Sequence, residues 1–198
     1  MMKSSYFFFF VGLLGALECQ AQMLESFEII EPNSMTMCAT NEPWKLGWKS
    51  MVLPRTIRQG DCLALKIRLQ SSAILYLFSK SPGEELKQLV PTKCNPMKIE
   101  SNVFPVGQEL LIPRLEDGKL GTISQRGEPG PVWIFAVALD NFSVEQNFKQ
   151  RIGKLADVCG VPYRDGINSV QDFTVALDEM AQQTPGKLEW KLRAFRLQ

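Results

Sequence analysis

A chain of 198 residues with 22 Lys and Arg against 21 Asp and Glu has a net charge of +1, so it lacks a field that gathers polyanions, and no nucleic-acid partner is expected. Its lack of any histidine removes Ser-His-Asp and Cys-His catalysis and histidine ligation of a metal. At this length one domain buries an adequate core without metals or many cross-links.

Residues 1–21 read as a secretory signal peptide. Lys3 supplies the positive start, Tyr6 to Leu17 the apolar run, and Cys19-Gln20-Ala21 the small residues for cleavage after Ala21. A membrane-spanning helix needs about 20 apolar residues, and Glu18 ends this run well before that. Glu18 also argues against a lipid anchor at Cys19, because acylation wants a small residue before its cysteine. Residues 22–198 are therefore expected to form a single exported domain, periplasmic or extracellular, with a β-rich core over 56–142 and a helical and final-strand segment over 143–198.

The FEII run from Ser26 to Glu31 suits a short strand stopped by Pro32. Thirty irregular residues follow, in which Trp44 and Trp48 either fold back on the core or form a contact patch. Leu63, Leu65, Ile67 and Leu69 alternate with Ala64, Lys66 and Arg68, the period of a strand with one wet face. Ile74 to Phe78 is apolar throughout and suits a central strand. Ser81-Pro82-Gly83 marks a turn, with Leu86 to Val90 as the returning strand. Pro91 to Pro105 reads as a loop, Glu109 to Ile112 as a short strand, and Asp117-Gly118 as a hairpin turn with Lys119 to Ile123 returning. Val132 to Leu139 is the most apolar stretch of the mature chain and suits a central strand.

After Asn141 the period becomes helical. Ser143 and Gln146 form a capping-box pattern, Val144, Phe148, Ile152, Leu155 and Cys159 share a face, and Gly160 is placed to end the helix. A second helix is expected from Ser169, with Asp172 in its first turn and Val170, Phe173, Leu177 and Met180 buried, broken by Thr184-Pro185-Gly186. Strand period then returns: Leu188, Trp190, Leu192 and Ala194 face one way, while Glu189, Lys191 and Arg193 face the other. Lys187, Lys191, Arg193 and Arg196 are read as the wet face of that strand. The expected class is α+β, an antiparallel β-sandwich or partly open barrel-like sheet with two carboxy-terminal helices and a final strand.

Cys38, Cys62, Cys94 and Cys159 remain after cleavage, an even set in an exported chain. Two disulfides are expected, with three pairings open and free buried cysteines as the alternative. Without histidine or a C-x-x-C pair, structural zinc is not expected, and neither is any other cofactor.

The order of QGDCLALKIRLQSSAILYLFSKSPGEELKQLVP, GQELLIP and GEPGPVWIFAVALDN resembles the bacterial family known as domain of unknown function 4384. The features that carry it are Gly60-Asp61, Ile74 to Phe78, Pro82-Gly83, Leu89 to Pro91, Gly107 to Pro113 and Gly130 to Leu139, within roughly 56–142. Members of that family often sit beside caspase-like peptidase or protein kinase domains or alone in envelope proteins. The resemblance implies an accessory role and brings no catalytic residues.

A Ser-x-x-Lys pattern and a phosphate-cradling Gly-rich loop are absent from residues 22–198. The expected function is a non-enzymatic accessory or protein-binding module of the bacterial envelope with an envelope protein as partner. Trp44, Trp48, Leu86 and Val90 are its candidate contact residues. The edge near Leu86 to Val90, or the last strand, would accept a partner strand, although Glu84, Glu85 and Lys87 look like charges that block such pairing. Asp61 and Asp140 read as turn or cap carboxylates. Two rival readings are a glycan hydrolase using paired carboxylates drawn from Glu84, Glu85, Glu116, Asp117 and Glu128, and an inhibitor or immunity-type protein inserting the loop from Pro91 to Pro105.

Overall fold

The first strand, β1, runs Leu24–Pro32 in the computed structural model, starting two residues before the FEII expectation. The structure describes residues 22–33, 47–92, 102–113, 123–124, 127–157 and 166–198. After β1 come β2 (Trp48–Ser50), β3 (Thr56–Ile57), β4 (Cys62–Leu69), β5 (Ala73–Lys80), β6 (Lys87–Val90), β7 (Val103–Phe104), β8 (Glu109–Ile112), β9 (Ile123–Ser124) and β10 (Gly130–Leu139). Helix α1 (Phe142–Ile152), β11 (Ala156–Asp157), helix α2 (Val170–Gln183) and β12 (Leu188–Leu197) complete the order. This is an α+β fold of mostly antiparallel strands with two carboxy-terminal helices and a final strand. Among the described residues no helix is long and apolar enough to cross a membrane.

Two sheets stack. One has the order β2-β1-β4-β8, with β9 also on β4; the other has β11-β6-β5-β10-β12-β3, with β7 also on β5. Period 2 sends alternate side chains of β5 and β10 to opposite faces. Ala73, Leu75 and Leu77 with Val132, Ile134, Ala136 and Ala138 meet β1 and β4 in the core between the sheets. Ile74, Tyr76 and Phe78 with Phe135, Val137 and Leu139 form the other face, which α1 and α2 cover with Phe148, Phe173 and Leu177. Strand β10 sits between β5 and β12 and is covered on both faces, which is why its sequence runs apolar without alternation.

The turn after β5 forms as its residues require: Gly83 has φ 70°, and the Glu84 N–H donates to the Ser81 carbonyl at 3.2 Å. The Asp117-Gly118 turn lies outside the described residues. Ile123 pairs with Leu63 of β4, and Leu110 of β8 pairs with Ile67 of the same strand, so both segments dock on β4.

Helix α1 departs from the expected limits at both ends. Asn141, not Ser143, is its N-cap, with its side-chain oxygen accepting from the Ser143 and Val144 N–H groups at 3.1 Å each. The helix stops at Ile152 because Gly153 takes φ 68°, seven residues before Gly160, so Leu155 is buried from beyond its end. Gly160 lies outside the described residues. Helix α2 is capped by Ser169, which accepts from the Asp172 N–H at 2.9 Å, and it ends before Thr184.

Strand β12 corrects the wet-face expectation at Lys191 and Arg193, while Lys187 and Arg196 are exposed as expected. Leu188, Trp190 and Leu192 pack toward the helices, while Phe195 and Leu197 enter the core between the sheets. Glu189, Lys191 and Arg193 share the parity of Phe195 and Leu197, and they meet the backbone of β1. The Glu189 carboxylate accepts from the Met23 and Leu24 N–H groups at 2.6 and 2.9 Å. Lys191 donates to the Leu24 carbonyl and to that of Glu25, and Arg193 Nε donates to the Phe27 carbonyl at 2.8 Å. Among the described residues β1 pairs over this stretch with β4 on one side only, and side chains of β12 bond main-chain groups of the other.

Candidate binding groove and the buried polar cluster beside it

Helix α1 places Val144 and Phe148 on its buried face and Asn147, Gln150 and Arg151 beside them. Helix α2 brings Met180 and Gln183 opposite, followed by Thr184 and by Leu188 at the start of β12. Between them lies a groove of about 510 Å³, within the size range of ligand sites. Its floor is apolar, from Val144, Phe148, Met180 and Leu188. The exposed carboxamides of Asn147, Gln150 and Gln183 stand around it. Among the described residues Arg151 is the one charged lining residue, and it pairs with Glu179 of α2. The groove therefore presents amide donors and acceptors over an apolar floor, with its cation already neutralised.

On its other side α1 is fixed by a polar cluster. Tyr76, in the apolar run of β5, donates its hydroxyl to Glu145, which is buried. Lys149, one turn on, pairs with the same carboxylate at 2.8 Å, and Asn102 Nδ2 donates to it at 3.4 Å. Burial pushes the Tyr76 phenol up to about 12, and the hydrogen bond to Glu145 adds to the rise. Burial works to raise Glu145, but the hydrogen bonds from Lys149, Tyr76 and Asn102 outweigh it and hold the carboxyl below its ordinary 4.5. Lys149 is raised by its hydrogen bond to Glu145, against the opposing effect of desolvation. The phenol stays protonated and the carboxylate stays ionised at neutral pH, with three donors on it, so the cluster anchors the helix and is not poised to move protons.

The signs fix a pH window. The Glu145 contribution is complete above pH 4.5 and lost as the pH falls below it, whereas the Tyr76 contribution is complete below pH 10 and lost as the pH rises to about 12. Tyr76→Phe should cost about 1.5 kcal/mol at neutral pH. In urea melts the gap between the two proteins should shrink at both extremes, and a gap constant across the range would contradict the assignment.

The residues expected from sequence are placed elsewhere. Leu86 and Val90 are fully buried at 0% exposure, so they offer no contact surface: both have been drawn into the core. Trp48 is half-buried against Ile30, Ala64 and Leu111, and among the described residues its buried indole N–H has no hydrogen-bond partner. Cys62 is buried and disulfide-bonded. Trp44, Cys38, Cys94, Cys159, Glu116, Asp117 and residues 1–21, expected to be a signal peptide, lie outside the described residues, as does most of the segment from Pro91 to Pro105.

Of the carboxylates considered for hydrolysis, Glu84 pairs with Lys87 at 2.9 Å, and Glu84, Glu85 and Glu128 do not line the groove. Asp61 accepts from the Arg58 N–H at 3.0 Å as a turn residue, and Asp140 accepts from Asn141 Nδ2 at 2.9 Å beside the α1 cap. Among the described residues no three acidic or cysteine side chains converge as metal ligands.

Sequence reading missed the groove, whose trace there is the pair Asn147 and Gln150, three residues apart on a helix. It also missed the cluster, whose trace is a lone phenol in an apolar strand, a group that needs a buried acceptor. No family model, curated protein or solved structure matches the chain.

Proposed function

We propose that this chain is a non-enzymatic, protein-binding accessory module of the bacterial cell envelope, exported by its leader, and that the groove between α1 and α2 holds the partner. The observation that carries this reading is the pairing of an apolar floor with a carboxamide rim and, among the described residues, no unpaired charge. The occupant that fits is an extended, uncharged segment of an envelope protein. Its main-chain amides pair with Asn147, Gln150 and Gln183, and an aliphatic side chain rests on Phe148 and Met180. The resemblance to domain of unknown function 4384, with its accessory role, supports the same reading.

Asn147→Trp and Gln183→Trp fill the groove from exposed positions and should leave the melting temperature within about 2 °C. Each should cut partner capture by cross-linking in intact cells at least about tenfold, the loss that corresponds to 1.4 kcal/mol of binding. Val175→Trp, at an exposed α2 position outside the groove, should leave capture unchanged. Equal capture by all three variants would overturn the assignment.

A further inference from the structure

Three methionines stand among the described residues, and one of them meets the groove. Met23 is 3% exposed and belongs to the core between the sheets. Met51, at 9%, adjoins a recess of about 10 Å³, no more space than one water requires. Met180, at 8%, forms part of the floor of the groove of about 510 Å³ between α1 and α2. We propose that Met180 is an oxidation site and that its sulfoxide closes the groove to the partner. Such control acts on the binding site proposed above and rests on that reading.

The main chain at Met180 is fixed by the end of α2, where the Thr184 N–H and hydroxyl both donate to its carbonyl at 2.9 and 2.7 Å. Its side chain is unbranched with three rotatable bonds, so the thioether can shift without moving the helix. Gln183 follows three residues on, on the same side of α2, and Asn147 stands on the opposite rim. Both carry amide N–H donors.

The co-reactant is a hydroperoxide, in its simplest form hydrogen peroxide. The sulfur lone pair attacks one peroxide oxygen, an S–O bond forms, and the O–O bond breaks. The departing hydroxide takes the proton of the transferred hydroxyl and leaves as water, so sulfur gives up two electrons and the peroxide takes them. The product is uncharged, and Arg151 keeps its pairing with Glu179. Its S–O group is a strong acceptor on a floor that was apolar, with the carboxamides of Asn147 and Gln183 standing around it as donors. Those are the groups assigned to the partner's main chain. One added oxygen therefore spoils the apolar seat and engages the rim.

The test begins with the purified full chain in hydrogen peroxide, sampled over time and mapped by trypsin and mass spectrometry. Peptide 165–187 carries Met180 and peptide 50–55 carries Met51, each without a second methionine. The first should gain one oxygen at least about tenfold faster than the second, since a thioether on an open groove meets the oxidant directly. Equal rates, which their similar exposure alone would give, would overturn the site. The oxidised chain should keep a cooperative melt; a chain unfolded at the assay temperature would overturn the closure, because lost capture would then report lost fold. In intact cells exposed to peroxide, capture by cross-linking should fall at least about tenfold as 165–187 becomes oxidised. Met180→Leu, measured against its own untreated cells, should keep its capture, which separates the effect from damage to the partner. Undiminished capture with 165–187 fully oxidised, or an equal loss in Met180→Leu, would overturn the closure and leave the groove reading standing. No capture by the untreated parent chain would instead remove the groove reading, and this control with it.

Discussion

Phe173→Ala should destabilise the protein by about 4 kcal/mol, the cost of emptying a fully buried aromatic site that backbone cannot refill. Phe173 is 0% exposed and sets its ring edge-on to Phe78 at 5.1 Å and to Phe135 at 5.0 Å, tying α2 to β5 and β10 together. For a chain of this size each kcal/mol lowers the melting temperature by about 2–4 °C, so a drop of roughly 8–16 °C is expected. Urea melts should show a lower midpoint with an unchanged slope. A loss below about 1 kcal/mol would mean that α2 is not held by this aromatic contact.

The second large effect is expected at Glu189. Its carboxylate alone among β12 side chains accepts from the Met23 and Leu24 N–H groups, whose residues are 3% and 0% exposed. Glu189→Ala leaves those donors without an acceptor and should cost about 2–3 kcal/mol. The loss should be local as well as global. Amide exchange at Met23 and Leu24 should speed up by at least about tenfold, the factor that corresponds to 1.4 kcal/mol. Exchange along β10 should change only as far as global stability does. Glu189→Gln keeps an acceptor oxygen and should recover part of the protection. Unchanged exchange at Met23 and Leu24 in the alanine variant would remove the closure of β1 by side chains from the account.

These two residues mark what the sequence makes legible. Phe173 was readable because α2 carries its own punctuation: Ser169 with Asp172 at the start, Thr184-Pro185-Gly186 at the end, and an apolar face between. The alternation in β4 and the unbroken apolar run of β10 were readable for the same reason, since burial on one face or on two leaves a local pattern. Glu189, Lys191 and Arg193 also alternate correctly, but charge on one face of a strand ordinarily means water. Only the stacking of β12 beside the unpaired side of β1 shows that backbone groups are there instead.

Helix α1 misled because two capping residues stand two positions apart, and the earlier one, Asn141, reaches the first free N–H groups. Leu86 and Val90 followed a turn rich in charge and read as an edge, yet both point inward. The groove was hidden for a different reason. Its two rims come from helices separated in sequence, and exposed carboxamides on a helix resemble any solvated face until the opposite rim is in place.

The most direct test of the binding role is photo-cross-linking in intact cells from a photoreactive phenylalanine at Gln150, on the rim of the groove, with the same group at Val175 as the control. The account predicts that the Gln150 position forms an adduct with one envelope protein, mapped by mass spectrometry to an extended uncharged segment, and that the Val175 position forms none. Adducts of equal yield from both positions, or an adduct at Gln150 that survives Asn147→Trp undiminished, would contradict it.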